Sequence, residues 1–319
     1  MKTNSNLIIV REDLVAPVLA PTRAAESHKG TYGHVLLIAG SKGKVGAALL
    51  SATACLRRGA GMLTVHIPHR AELAFSLALP EAMLSLDDCA DAVTQAPSLN
   101  GPYNTLAMGP GLGRDLRTHA AVLEVVDALS KAPHLNAVLD ADALNILAAH
   151  PAYLRRLPHN TILTPHPGEF DRLARALGYP ELAPRDLSAP IPESPSAPIP
   201  ESPSAHAIPS WALRKQRILQ ARQMARELGV IVVLKGHRTA TCTPCGKIRF
   251  NTTGNPGMAT AGCGDVLTGF IAALLAQRNA FGYVPRMAAV AGVYAHGQAG
   301  DKIVCKTHPS IIARDILFL

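Results

Sequence analysis

The chain has 319 residues, of which 48% are apolar and 17% are charged. This length suits one large domain or two small ones, and the high apolar fraction excludes disorder for most of the chain. The net charge of +8 favours acidic partners such as nucleic acid, an anionic membrane or phosphorylated small molecules. The basic residues form no long block, and the nearest cluster, around Arg214, is typical of the exposed face of a helix. We therefore expect no nucleic acid as the principal ligand.

The first residues predict neither a signal peptide nor a membrane anchor. Only four consecutive apolar residues, Leu7 to Val10, occur there, and no apolar run reaches the ~18 residues of a transmembrane helix. We expect a cytoplasmic protein, no membrane partner, and six cysteines that are free thiols. The sequence CTPC, from Cys242 to Cys245, has the spacing of half a zinc site, but no second pair accompanies it. A hairpin turn is the favoured interpretation.

Short apolar runs alternate with helical patterns through most of the chain. This alternation is typical of an α/β fold with a mostly parallel central sheet and helices on both of its faces. In chain order, the sequence predicts a strand (34–40), a helix (46–59), a strand (61–68), a strand entering a glycine loop (104–113), a helix (115–130), two strand–loop–helix units (136–144 and 160–170), a strand and loop (229–239), a β-hairpin (238–251) and three helices (264–277, 286–300 and 309–318).

We predict a single domain over residues 1–319 with one insertion inside it. The segment APIPESPS occurs at 189–196 and again at 197–204. Proline removes backbone donors and fixes φ, so neither a helix nor a sheet continues through this segment. A flexible surface insertion at 182–210 is predicted rather than a domain boundary, because the α/β alternation resumes after it. A proline-rich ligand motif is the alternative.

Most of the unusual loops follow predicted strands. Ligands of a doubly wound sheet bind beyond the carboxyl ends of its strands, so GSKGKVG, GPGLG, DADALN, TPHPGE, KGHRT and GNPGMATAGCGD should meet at one edge. GSKGKVGA (40–47) lacks the spacing of a P-loop, and GPGLG (109–113) lacks that of the dinucleotide-binding fingerprint. For GSKGKVGA, a plain glycine turn and close approach of the backbone to a substrate both remain open.

Five glycines surround one acid, Asp265, in the segment TTGNPGMATAGCGDVLTG (252–269). We predict that GCGD opens a helix, where unpaired N–H groups and the helix dipole attract anions and glycine lets a phosphate approach. Beside a phosphate, Asp265 can remove a proton from a hydroxyl that attacks the phosphorus. An ordinary acid in a first helical turn is the alternative.

Six motifs together resemble a known family. In chain order they are GTYGHVLLIAGSKGKVGAALL, MGPGLGRD, LDADALN, TPHPGEFDRL, VVLKGHRT and NTTGNPGMATAGCGDVLTG. Over about residues 29–318, apart from the insertion, the set is similar to the nucleotide-dependent NAD(P)H-hydrate dehydratases of the ribokinase-like superfamily. This resemblance implies a ribokinase-like fold and a repair reaction. The S epimer of hydrated NADH or NADPH is phosphorylated on its ring hydroxyl by ADP or ATP, and loss of phosphate restores the dihydropyridine.

The resemblance also implies roles for individual residues. Asp265 would be the catalytic base and would contact the hydrated cofactor, and Asn255 and Asp142 are expected near the site. Cys263 stands where serine is common in the family. For His166, a structural loop cap is the alternative to a substrate contact. The other implied contacts are Ala47, Gly111, Gly113 and His166 with the hydrated NAD(P)H, and Lys235, Gly236, His237, Arg238, Thr239 and Gly264 with the AMP part of the nucleotide.

Cofactors and partners follow from the same resemblance. Mg²⁺ is expected with the nucleotide, and no metal ligand is assigned. The lack of a targeting segment favours ADP, which would give AMP and phosphate. We expect a homotetramer and a separate NAD(P)H-hydrate epimerase, because about 28 residues precede the resemblance, too few for an epimerase domain. A ribokinase-like kinase of a vitamin-precursor alcohol and a non-catalytic nucleotide sensor are the alternatives.

Overall fold

The computed structural model describes residues 6–180, 210–304 and 309–318. The strands within these ranges form one sheet in the order β1-β10-β9-β8-β7-β6-β5-β2-β3-β4. They are β1 (Leu7–Ile9), β2 (His34–Ile38), β3 (Met62–Pro68), β4 (Met83–Asp87), β5 (Thr105–Met108), β6 (Asn136–Leu139), β7 (Ile162–Leu163), β8 (Ile231–Leu234), β9 (Ala240–Cys242) and β10 (Ile248–Phe250).

The sheet is parallel except around β9. This strand runs antiparallel to both β8 and β10, whereas all other neighbouring strands pair in parallel. The predicted hairpin therefore exists as part of the same sheet. Its turn includes Gly246, whose N–H donates to the Thr243 carbonyl over 2.8 Å. CTPC accordingly places Cys242 in β9 and Cys245 in the turn, and the favoured hairpin interpretation is confirmed.

Helices cover both faces of this sheet, and the predicted α/β class is confirmed. On β2, Val35 and Leu37 face one apolar cluster while Leu36 and Ile38 face another, as the alternation of side chains along a strand requires. The first cluster includes residues of α1, α2, α3, α9 and α10, and the second includes residues of α4, α5, α7 and α8. The helices are α1 (Glu12–Leu19), α2 (Val45–Arg57), α3 (Glu72–Ala78), α4 (Leu116–Ser130), α5 (Ala141–Ala149), α6 (Pro151–Leu154), α7 (Pro167–Ala176), α8 (Ser210–Leu228), α9 (Cys263–Phe281) and α10 (Pro285–Ile303).

Helix α9 is held unusually close to α2. A Cβ added at Gly269 would lie 2.2 Å from the carbonyl oxygen of Ser51, so only glycine permits this approach. Ser51 also donates its hydroxyl hydrogen bond to the Asp265 carbonyl oxygen over 2.8 Å. Close packing on α2 thus fixes where the amino end of α9 meets the edge of the sheet.

The structure differs from the sequence-based elements mainly at the periphery. Strands β1 and β4, at the two edges of the sheet, were not predicted. Within the predicted helix 309–318, the structure has a 3₁₀ helix from Ala313 to Phe318. Of the predicted insertion 182–210, only Ser210 lies within the described residues, where it begins α8. Both APIPESPS copies lie outside them.

Candidate active site

The carboxyl ends of the parallel strands bring the unusual loops to one edge of the sheet. Backbone hydrogen bonds join them there: Gly40 N–H donates to the Pro110 carbonyl, and Lys235 N–H donates to the Pro165 carbonyl, both over 2.9 Å. The sheet topology therefore places the loops after β2, β5, β7 and β8 side by side, where doubly wound folds bind their ligands.

Asp265 lies in the first turn of α9, directly after Gly264. The N-cap residue Gly262 has a φ of +90°, which glycine adopts without strain, and no side chain caps the helix. The first N–H groups of a helix have no intrahelical partner and carry the positive end of its dipole. The start of α9 is therefore free to bind an anion next to a carboxylate.

The surroundings of Asp265 raise its pKa to about 7. Burial is the main cause, followed by the negative charge of Asp140. Asp142 and Glu169 add smaller repulsions, while Lys235 acts in the opposite direction. A carboxylate with this pKa is partly ionised at neutral pH and accepts a proton readily, which suits a general base.

Asp140, which the sequence analysis did not assign, is the centre of a buried polar cluster. Its side chain accepts hydrogen bonds from Lys235 Nζ and from Thr268 Oγ1, both over 2.7 Å. Lys235 Nζ also lies 3.8 Å from Glu169 Oε2. Burial alone would lower the pKa of Lys235, but Asp140 and Glu169 outweigh it and raise the pKa. A positive charge is therefore held at the start of α9.

A cavity of about 660 Å³ opens beside this positive charge. Its walls come from the loops after β7 and β8, from the glycine loop (residues 252–262) and from α10. A Cβ added at Gly264 would lie 3.4 Å from Lys235 Nζ, so the two residues adjoin at its inner end. Every residue predicted to contact the AMP part of a nucleotide lines this cavity: Lys235, Gly236, His237, Arg238, Thr239 and Gly264.

Three of the residues predicted for the hydrated cofactor meet outside this cavity, around Asp142. Gly113 N–H donates to Asp142 Oδ2 over 2.8 Å, and Lys44 Nζ lies 3.1 Å from the same oxygen. A Cβ added at Gly111 would lie 3.0 Å from Ala47 Cβ, so these two residues are in close contact. We call Ala47, Gly111, Gly113 and Asp142 the Asp142 cluster. The charge of Asp142 contributes to the raised pKa of Asp265, so the two carboxylates lie near each other. Asp265 does not itself line the cavity but directly follows Gly264, which does.

His166 is the N-cap residue of α7. Its Nδ1 accepts hydrogen bonds from the N–H groups of Gly168 and Glu169, and the Glu169 carboxylate accepts one from the His166 N–H in return. The structural alternative considered for this histidine is therefore present. The imidazole also lines the cavity and is half exposed, but its Nε2 lies 3.2 Å from Glu169 Oε1, so a ligand contact through Nε2 would share or replace that contact.

Asn255 occupies the cavity wall formed by the glycine loop. Its side-chain oxygen accepts the Gly257 N–H over 2.9 Å and caps a short 3₁₀ turn.

In the described part of the chain, no group of three or more His, Cys, Asp or Glu side chains is arranged to hold a metal ion. Among the same residues, no helix has the length and apolar character needed to cross a bilayer.

Comparison with known proteins decides the family. The sequence model of the NAD(P)H-hydrate dehydratase family matches residues 35–317. The chain belongs to this family. An ADP-dependent (S)-NAD(P)H-hydrate dehydratase from Neisseria meningitidis is 35% identical over 291 residues, covering 90% of this chain and 82% of the relative. A bifunctional NAD(P)H-hydrate repair enzyme from Moorella thermoacetica is 38% identical, but 88% of this chain matches only 47% of that protein. This chain thus spans about half the length of its bifunctional relatives.

Solved structures of this dehydratase family share the fold. An ADP/ATP-dependent NAD(P)H-hydrate dehydratase from Bacillus subtilis, co-crystallised with ATP and Mg²⁺, is 30% identical, with a TM-score of 0.71 over 98% of this chain and 95% of that one. A ribokinase-like superfamily protein from Enterococcus faecalis gives a TM-score of 0.73 at 24% identity over 99% of this chain and 95% of that one, and supports the fold alone. The predicted ribokinase-like fold and the predicted family are confirmed.

Proposed function

We propose that this protein dehydrates the S epimer of hydrated NADH or NADPH at the expense of ADP or ATP, restoring NAD(P)H. The observation that carries the proposal is the environment of Asp265. Its pKa is raised to about 7, and it lies in the first turn of α9, whose uncapped N–H groups can bind a phosphate. The Neisseria and Bacillus relatives, both NAD(P)H-hydrate dehydratases, support the same reaction. The fold alone fits a range of phosphoryl-transfer enzymes, so the substrate assignment depends on the relatives.

The first step is transfer of a phosphoryl group to the ring hydroxyl. The nucleotide lies in the cavity, with its AMP part against residues 235–239 and its terminal phosphate at Gly264 and Lys235. Asp265 removes the hydroxyl proton while the oxygen attacks the terminal phosphorus. The bond between that phosphorus and the bridging oxygen of the nucleotide breaks, so ADP gives AMP. The charge of Lys235 neutralises the phosphate oxygens during transfer.

The second step removes phosphate from the ring. Hydroxide is a poor leaving group, whereas the phosphate ester leaves as inorganic phosphate. The carbon–oxygen bond breaks, a ring proton is lost, and the dihydropyridine returns. We assign the Asp142 cluster and His166 to the hydrated nicotinamide nucleotide, because the charge of Asp142 acts on Asp265 and His166 lines the cavity. In this arrangement the phosphoryl group passes directly from the nucleotide to the ring hydroxyl at the start of α9.

Mg²⁺ is proposed to enter with the nucleotide. The described residues provide no three-ligand cage, and Mg²⁺ in phosphoryl-transfer sites is held by phosphates and water with one or two carboxylates. Asp140 is already engaged by Lys235 and Thr268. Asp142 is likewise held by Lys44 and Gly113, and Asp265 acts as the base, so phosphate oxygens and water would be the main ligands of the ion. When bound, it neutralises charge on the transferring phosphoryl group.

The reaction is tested with hydrated NADH and either ADP or ATP. We expect the absorbance band of dihydronicotinamide to return, with faster turnover on ADP, and AMP to accumulate with ADP. A vitamin-precursor kinase would instead consume ATP with an alcohol substrate and leave hydrated NADH unchanged. Failure of both nucleotides to restore the band, in a folded and nucleotide-binding preparation, would refute the assignment.

We further propose a cytoplasmic homotetramer that relies on a separate epimerase. Apolar side chains on α3 and β4 are exposed, including Leu73 at 69% and Leu77 at 77%, and such a surface favours burial between subunits. Light scattering after size exclusion should give the tetramer mass, and a monomer would refute this part. In a mixture of both epimers, under conditions of slow spontaneous epimerisation, only the S form should be consumed until an epimerase is added.

A further inference from the structure

Helix α10 supports the glycine loop that forms one wall of the nucleotide cavity. Gly254, Asn255 and Met258 of this loop line the cavity, as does Gly297 of α10. Asp301 does not line it, yet it joins the two elements. Its Oδ2 accepts the Gly254 N–H over 2.7 Å, and its Oδ1 accepts a hydrogen bond from Asn255 Nδ2 over 3.0 Å.

The contact continues along one face of α10. Residues 294, 297 and 301 lie three or four positions apart, so they point to the same side of the helix. The Tyr294 carbonyl accepts a hydrogen bond from Thr253 Oγ1 over 2.8 Å. A Cβ added at Gly297 would lie 2.8 Å from Gly254 N, so the backbone of the loop rests directly on the helix. Asp301 is the one charged side chain in this set.

The same helix also contacts the start of α9. His296 Nε2 lies 2.9 Å from the Cys263 carbonyl oxygen, and burial lowers the pKa of His296 to about 4. The imidazole is therefore neutral at physiological pH and its Nε2–H donates to that carbonyl. One rigid helix thus connects the cavity wall at Asn255 with the first residue of α9.

We propose that Asp301 is a positioning residue that fixes the Gly254–Asn255 wall for nucleotide binding. This inference rests on the proposed function, since it assumes a nucleotide in the cavity. Other contacts hold this segment on α10, but only those of Asp301 engage the Gly254 N–H and the Asn255 Nδ2 among the hydrogen bonds described above. Without Asp301 the nucleotide would have to order these two groups on binding. Ordering a loop on binding weakens affinity, whereas a preorganised wall avoids that cost.

The test compares Asp301→Ala and Asp301→Asn with the wild type. Asp301 is exposed, so neither change disturbs the core, and both variants should fold. Asp301→Ala loses two charge-assisted hydrogen bonds, and we expect the KM for nucleotide to rise by roughly tenfold or more. We expect kcat and the KM for hydrated NADH to change by less than about threefold. Asp301→Asn keeps one acceptor, so its KM for nucleotide should lie between those of the wild type and Asp301→Ala.

The matched control is Asp127→Asn. Asp127 lies on α4, away from the cavity, and its carboxylate pairs with Arg156. This substitution should leave both KM values unchanged. Binding of MgADP to each protein is also measured by calorimetry, independently of turnover. Asp301→Ala with wild-type nucleotide affinity and KM would overturn the positioning role, as would an equal loss in kcat and in both KM values.

The two proposals fail in different ways. A wild-type protein that binds MgADP but does not restore NADH would refute the proposed reaction, and the calorimetric comparison would still decide the role of Asp301. A wild-type protein that binds no MgADP would overturn both. A loss of MgADP affinity that is confined to the Asp301 variants supports the inference, whether or not the wild type restores NADH.

Discussion

The proton affinity of Asp265 comes from its neighbours as well as from its burial. Asp140 and Asp142 repel the charge of Asp265, and Lys235 only partly offsets them because Asp140 already holds Lys235 in an ion pair. A general base works best when its pKa is close to the working pH. Asp140 therefore serves the site in two ways: it keeps Lys235 charged, and it keeps Asp265 basic.

Replacement of Asp265 by asparagine tests the base directly. We expect turnover to fall by about 10²–10⁴-fold, the usual contribution of a general base, with MgADP affinity retained. Steady-state rates and calorimetry measure the two effects. Because the folded-state pKa of Asp265 is raised above its ordinary value, the folded state loses stability as the pH rises from about 4 to about 7, and above about 7 this cost stays constant. Asp265→Asn should therefore raise the Tm at pH 8 more than at pH 4, and wild-type turnover in this variant would exclude Asp265 as the base.

The pH profile tests the contribution of Asp140. Wild-type kcat/KM should fall as the pH drops below about 7, because protonated Asp265 cannot accept a proton. Asp140→Asn removes a repulsive charge, so the pKa of Asp265 falls and the acidic limb should move down by about one pH unit. Thr268→Val, which removes a hydrogen bond to Asp140 and no charge, is the control. An acidic limb that stays in place in Asp140→Asn would contradict this electrostatic account.

At the residue scale, the sequence predicted a role for Asp265 but none for Asp140. Glycines flanking an acid at a helix start are a local signal, readable from the residues around Asp265 alone. The importance of Asp140 depends on Lys235, which is far away in the chain and pairs with it only through the sheet order. Asp140 follows β6 directly and Lys235 follows β8, with β7 between them, so a correct strand order was needed to join the two residues.

At the element scale, α9 carries two glycines with opposite reasons for being there. Gly269 lets α9 pack on α2, where a Cβ would clash with the Ser51 carbonyl oxygen. Gly264 has space for a Cβ, whose nearest neighbours would be Lys235 Nζ at 3.4 Å and Asp140 Oδ2 at 3.9 Å. Gly269 serves packing, whereas Gly264 is predicted to leave room for a ligand.

Alanine at each position separates these two reasons. Gly264→Ala should keep or slightly raise the Tm, because alanine favours a helix over glycine by up to ~1 kcal/mol, while nucleotide affinity and turnover fall at least tenfold. Gly269→Ala should lower stability by about 1–3 kcal/mol through overpacking. Thermal unfolding and calorimetry with MgADP measure both. If Gly264→Ala bound MgADP as the wild type does, the start of α9 would not be the phosphate site.

Elements with strong patterns were predictable, and those at the sheet edges were not. The buried strands β2, β3, β5, β6 and β8 have continuous apolar runs that single out a parallel sheet. In β4, by contrast, Met83 and Leu86 are exposed and only Asp87 is buried, so its sequence MLSLD carries no clear core pattern. Pairing with β3 makes this segment a strand, and such pairing cannot be predicted from a single sequence.

At the scale of the whole molecule, α8 contacts the loop after β8 (residues 235–239), which we call the nucleotide loop because it is predicted to contact the AMP part of the nucleotide. Arg214, in the second turn of α8, donates hydrogen bonds to the carbonyl oxygens of His237 and Arg238. Replacing Arg214 by alanine should therefore raise the KM for nucleotide. Residues 181–209, which precede this helix, lie outside the described structure.

Deletion of one APIPESPS copy, residues 197–204, tests whether the duplication matters. We expect turnover and Tm to stay within experimental scatter of the wild type, since the cost of closing a loop changes only slowly with its length, by about 0.6 kcal/mol per doubling. Arg214→Ala serves as the positive control for disturbance of the nucleotide loop. A deletion variant with a raised nucleotide KM would show that the segment takes part in the site.

The order of the whole sheet was beyond reach of the sequence. Alternating strands and helices predicted a parallel sheet, but they did not predict the order of the ten strands that the described residues form. The family resemblance supplied the fold where physical patterns stopped. The separation of the site into a cavity and the Asp142 cluster is visible only in the three-dimensional structure.

Residues from both ends of the sequence hold the glycine loop. Val10 accepts a hydrogen bond from Thr252 Oγ1 over 2.8 Å, and the Ile311 N–H donates to the Gly257 carbonyl over 3.2 Å. Thr252 and Val10 are 242 positions apart in the chain, so the first of these contacts is strongly non-local. The glycine loop therefore reaches its final form only after distant parts of the chain have folded against it.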